Sequence, residues 1–157
     1  MNIKSLVITI LVAFVTVWGT DFLIHAVWLS STYGATKELW RPEAEMLAKM
    51  PWMFLGQFLV AAAFTVNFAA FVAEKRCLKA TLTYAASMGV LVGGGQIILY
   101  VVQPFPGLLV VKWCAAYLAQ MLLLGGIVHG VYRPLPETRD TTNLRKRPVD
   151  LPPAAAG

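Results

Sequence analysis

Two ionisable side chains stand where polarity is costly. Asp21 and His25 lie four residues apart inside the run SLVITILVAFVTVWGTDFLIHAVWLS, residues 5–30. An apolar stretch of this length suits a membrane-spanning helix. Asp21 is the one carboxylate within any apolar segment, and His25 is one of two histidines in the chain. Ionisable groups at such depth mark candidate sites, because removing them from water must be compensated. A carboxylate favours the imidazolium form of a nearby histidine, while burial disfavours both charged forms. Together they suggest a proton-titrating pair facing a cavity open to the outer compartment. Trp28 continues the same helical face at i+7. The plainer alternative is that Asp21 simply holds His25, with nearby glutamines as interhelical hydrogen-bond glue.

The segments that must position this pair follow from composition. Hydrophobic residues make up 58% of the 157 and charged residues 13%, with a mean hydropathy of +0.66. That balance points to a membrane protein rather than a soluble domain. Four spanning helices are expected: about 5–30, then 51–73, 80–102 and 108–132. Lys4 ahead of the first run resembles a signal peptide, but the run exceeds a signal core and lacks a small-residue cleavage site. It therefore reads as an uncleaved signal-anchor. Between the first two spans, Pro42 is placed to open a short helix, PEAEMLAKM, with one apolar side suited to the membrane interface. The fold expected is an all-α four-helix transmembrane bundle over residues 1–134, with that interfacial helix between its first two spans. A disordered, basic, cytoplasmic tail is expected over 135–157, where prolines abound and large apolar residues are few.

Charge sets the orientation. Nine Lys/Arg (Lys4, Lys75, Arg76, Lys79, Arg133, Arg139, Arg145, Lys146, Arg147) fall on one side and four (Lys37, Arg41, Lys49, Lys112) on the other. The positive-inside rule puts both termini in the cytoplasm. Trp28, Tyr33, Trp40 and Trp52 then form an outer aromatic belt. The net charge of +5 reports topology, not nucleic-acid binding.

Depth sorts the remaining polar groups. Asp21, His25, Gln57 and Gln96 fall in the outer half of their helices, Gln120 near the middle, and His129 in the inner half. At ~1.5 Å per residue the histidines stand on the order of 20 Å apart, too far to share a haem or a metal. On the third span Gly89, Gly93, Gln96 and Tyr100 share one face. The expected outer cluster is Asp21, His25, Gln57, Gln96 and Tyr100. The pairs Gly89/Gly93 and Gly126/Gly130 are expected to pack helices closely, within the bundle or between copies. Cys77 and Cys114 lie at different depths and form no CxxC, which speaks against a disulfide framework or metal cluster. No cofactor and no catalytic residue is implied.

The segment YGATKELWRPEAEMLAKMPWMFLGQ (33–57), with FLIHAVWL before it and VYRP near the end, is distinctive. It resembles a group of uncharacterised small four-helix bacterial inner-membrane proteins, LWRPEAEM being its most specific piece. The resemblance spans Asp21 to Pro134 and implies the same topology and the bacterial inner membrane. It brings no substrate, cofactor or catalytic residue. The function expected is that of an accessory or structural subunit in the lipid bilayer, binding another membrane protein or itself. The alternative is a small proton-coupled carrier using Asp21 and His25. A membrane enzyme is the weakest reading, since no nucleophile–base pair is present.

Overall fold

The computed structural model describes residues 1–75 and 77–135. Beyond Leu135 the tail expected to be disordered lies outside the described residues. Four helices are long and apolar enough to cross a membrane: Ile3–Trp28, Met50–Phe71, Leu78–Val102 and Gly107–Val131. The described residues contain no strand.

Helix α1 (Ile3–Asp21) starts where Asn2 caps it, the Asn2 side-chain oxygen accepting from the Ser5 N–H at 3.2 Å. A side-chain oxygen at this position satisfies a backbone donor that the first turn leaves free. The helix then widens without a break into a π-helical stretch, Phe22–Trp28. Short helices α2 (Ser30–Ala35) and α3 (Glu43–Ala48) follow, with a 3₁₀ turn at Lys37–Leu39 between them. Pro42 is the residue before α3 rather than its first helical residue. Lys49 ends α3 and immediately precedes α4 (Met50–Phe71), so α3 is shorter than the segment expected from sequence. A 3₁₀ turn, Ala73–Lys75, leads toward α5 (Leu78–Val102), and the prolines around Phe105 separate α5 from α6 (Gly107–Val131).

The bundle is built outward from α6. Helices α5 and α6 form the most extensive contact, α1 packs on both α4 and α6, and α4 barely touches α5. One core cluster, toward the chain termini, joins Leu6, Ala13, Phe64, Phe68, Leu124 and Val128. A second, at the other end, joins Leu29, Leu109, Val110 and Trp113. Buried polar residues include Thr9, Gln57, Thr65, Thr81 and Gln120, while Val90, Leu91, Ile98 and Val101 point outward. That inversion suits a chain whose surroundings are as apolar as its side chains, where packing and interhelical hydrogen bonds do the work of association.

Glycines set the α5–α6 separation. A Cβ on Gly89 would sit 2.9 Å from the Leu118 Cα, and one on Gly93 would sit 3.5 Å from the Cys114 Cα. From α6, Gly125 faces the Ala85 Cβ, with only 2.7 Å for an added methyl. Gly126 and Gly130 meet nothing within 4 Å in the single chain. The close-packing glycine of α6 is thus Gly125, one position and about 100° around the helix from the expected pair. Gly89→Leu and Gly125→Leu should each lower stability by about 1–3 kcal/mol through overpacking. Gly126→Leu and Gly130→Leu in a detergent-solubilised monomer should leave it within about 0.5 kcal/mol. Thermal melts of the purified variants test this contrast.

Candidate functional site

Asp21 is the last residue of α1 before the helix widens. Both carboxylate oxygens are engaged. Gln57 of α4 donates from Nε2 to Oδ2 at 2.7 Å, and Gln120 of α6 donates from Nε2 to Oδ1 at 2.7 Å. The Gln120 amide also lies 2.7 Å from Thr20 Oγ1 and 3.3 Å from the Val17 carbonyl. The two glutamines are 8% and 4% exposed, so their amide groups compete with little water. Three spanning helices are therefore tied at one carboxylate. Gln57 Oε1 is buried and has no hydrogen-bond partner.

His25 does not hydrogen-bond to Asp21. Its Nδ1 lies 2.5 Å from Tyr33 Oη, and the two rings stack at 5.9 Å with 15° between planes. Each group is taken by another partner: the Asp21 oxygens by Gln57 and Gln120, and His25 Nδ1 by Tyr33 of the folded-back α2. Tyr33 Oη also accepts from Trp113 Nε1 at 2.8 Å. With an acceptor position filled by Trp113, the phenol proton is free to point at His25 Nδ1. Burial pushes the Tyr33 phenol above its ordinary value of 10.0, the Trp113 bond opposing and the Asp21 charge adding to the rise.

Around Tyr33 lies an aromatic cap on the start of α6. Trp40 meets Tyr33 edge-on at 5.1 Å and stacks on Phe105 at 5.4 Å, and Phe105 meets Trp113 edge-on at 5.1 Å. Trp40 Nε1 donates to Thr36 Oγ1 at 3.0 Å, which fixes the ring. The expected aromatic belt thus divides. Trp28 and Trp52 are exposed, whereas Tyr33 and Trp40 are turned into the cap. Beside it opens a hollow of about 970 Å³ lined by Tyr33, Lys37, Glu38, Trp40, Arg41, Pro42, Glu43 and Met46.

Of the five residues expected to cluster, the structure joins Asp21 to Gln57 and gives His25 a separate partner. Gln96 makes no side-chain hydrogen bond among the described residues, and Tyr100 is 45% exposed with its hydroxyl beside Gly107. Both belong to α5, which packs on α6, while α1 packs on α4 and α6. Helix α6 therefore stands between them and Asp21. It supplies Gln120 in their place.

Gln120 escapes a count of depth from helix ends because those ends are not level. Leu29, just past the first span, packs against Leu109 and Val110. From that contact Asp21 lies eight residues down α1 and Gln120 ten residues down α6, about 12 Å and about 15 Å. Tyr33 was not legible as a partner either, since only the folded-back α2 brings it to His25 and Trp113.

At the other end of the bundle, His129 Nδ1 lies 2.9 Å from Thr81 Oγ1, pinning α6 to α5. Cys77 is exposed and Cys114 partly buried, both free thiols. Among the described residues no three His, Cys, Asp or Glu side chains are grouped to hold a metal ion. Searches against family models, curated proteins and solved structures find no match.

Gln120→Leu removes the donor to Asp21 Oδ1 and should cost about 1.5–3 kcal/mol, the range for a hydrogen bond to a charged group. Gln96→Leu should be nearly neutral. Thermal melts that rank the two alike would refute the cradle as a stabilising element. Tyr33 gives a pH test. Because its folded-state value is raised, it contributes stability that is full below pH 10.0 and lost as pH rises further. The gap in melting temperature between wild type and Tyr33→Phe should therefore narrow above that pH.

Proposed function

We propose that the protein is a multi-pass protein of the bacterial inner membrane with both termini in the cytoplasm. Its role is that of an accessory or structural subunit that binds another membrane protein or a second copy of itself. The excess of Lys and Arg on the terminal side supports the orientation. The observation that carries the role is the use made of Asp21: both oxygens are spent on glutamines from two other helices. A carboxylate so engaged serves as interhelical glue.

The outer segment is the binding surface in this reading. Its anchor, Trp40, is held by Thr36 and the aromatic cap. Beyond the anchor, Arg41 pairs loosely with Glu45 at 3.5 Å, and Met46 and Leu47 are 45% and 61% exposed. Charged and apolar residues together on α3 suit a place at the membrane interface or against a partner. A rigid base with exposed apolar tips is what a partner can dock on without a large ordering cost.

A second reading, proton-coupled transport through Asp21 and His25, is favoured by one detail. The orphaned Gln57 Oε1 adjoins a carboxyl group. A protonated Asp21 could donate to that oxygen, whereas a carboxylate cannot.

Purification in mild detergent with mass spectrometry of bound proteins distinguishes the two. Under the subunit reading a stoichiometric protein partner or second copy is retained by wild type and by Asp21→Asn, and falls at least about tenfold in Met46→Asp/Leu47→Asp, as expected for interface anchors worth above 1 kcal/mol each. Proton uptake into proteoliposomes that Asp21→Asn abolishes, with no partner recovered, would replace it with the carrier reading.

A further inference from the structure

A small cavity of about 250 Å³ lies at the end of the bundle remote from Asp21, lined by Phe68, Ala73, His129, Tyr132, Arg133 and Pro134. Helices α4 and α6, with the segments that follow each, line it. Helix α6 ends at Val131 and the chain turns extended at Tyr132. There the Arg133 N–H donates to Ser5 Oγ at 2.7 Å, and Tyr132 Oη accepts from the Asn2 N–H at 3.4 Å, both at the start of α1. The Tyr132 ring meets Phe68 of α4 edge-on at 6.2 Å. The walls are thus held in place, with Phe68, Ala73, Tyr132 and Pro134 beside the polar His129 and Arg133.

The polar groups on this cavity are cationic or hydrogen-bonding, and among the described residues no carboxylate lines it. The ion pair found among the described residues, Arg41–Glu45, is at the opposite end. His129 uses Nδ1 on Thr81, which leaves Nε2 as its uncommitted ring nitrogen. The cavity also sits where spanning helices end, at the height of lipid headgroups, and Lys4, Lys75 and Lys79 share that side.

We propose that this cavity binds the headgroup phosphate of an anionic glycerophospholipid. The Arg133 fork takes two phosphate oxygens, since guanidinium matches that geometry. Pro134 and Ala73 border the same cavity and leave the guanidinium as its charged group. The apolar wall residues and the headgroup height favour a lipid over a free phosphate ion. This site is independent of Asp21 and holds for either role of the protein.

Native mass spectrometry of the full chain with phosphatidylglycerol, phosphatidylcholine or inorganic phosphate tests it. Wild type should retain phosphatidylglycerol over phosphatidylcholine, and Arg133→Gln should weaken that retention about fivefold, the effect of one basic residue near an anionic surface. Arg133→Lys, which keeps the charge and loses the fork, should fall between them. The Arg133 contact with α1 is made by its backbone, so these variants should melt like wild type. Lys79→Gln is the control, because Lys79 lines a different hollow on the same side. Retention that drops equally in Lys79→Gln would mean diffuse surface attraction and overturn the site. So would unchanged retention in Arg133→Gln, or inorganic phosphate binding as tightly as the lipid.

Discussion

The Asp21 carboxylate is the constraint on which the bundle depends. It stands in a helix long and apolar enough to cross lipid, and it finds no cation within ion-pair distance among the described residues. Its stabilisation comes from Gln57 and Gln120, one donor to each oxygen. Those bonds fix the heights of α1, α4 and α6 against one another at one level. A slide of any of the three by one helical turn, about 5.4 Å, would carry bonds of 2.7 Å well beyond useful length.

The rest of the packing is arranged around that pinned level. Gly89, Gly93 and Gly125 let α5 approach α6 closely, and the gain is dispersion contact, since lipid offers no hydrophobic drive to bring helices together. Further hydrogen bonds tie the same helices away from Asp21. His129 meets Thr81, and Tyr84 donates to the Phe64 carbonyl at 2.8 Å, the latter joining α5 to α4 where they barely touch. On the far side of Asp21 the chain does not leave the bundle cleanly. The π-helical stretch carries it into α2, whose Tyr33 folds back over α6 and takes up both His25 and Trp113. Asp21 and His25 are thereby given different tasks, one in the bundle and one in its cap.

Much of the fold was legible in the residues alone. Four long apolar runs separated by Pro and charged clusters can only be satisfied in lipid as helices, because each backbone group must find its partner within its own segment. The spans of the structure differ from those expected by a few residues at their ends. Asp21 and Gln57 could be singled out for the same reason: a strongly polar side chain in such a run must answer to another.

What the sequence determined was the set of helices, their apolar outward faces and the need for Asp21 to be compensated. These follow from local composition and length. Which groups compensate it was decided by tertiary structure. Selecting Gln120 over Gln96 required knowing that α6, not α5, packs on α1, and at what height. Separating His25 from Asp21 required α2, whose Tyr33 folds back onto His25 Nδ1. Choosing Gly125 over Gly126 turned on a rotation of one residue about the α6 axis. Helix periodicity defines candidate faces, but the face used, and its height, are properties of the helix pair. They emerge only when both surfaces are in contact.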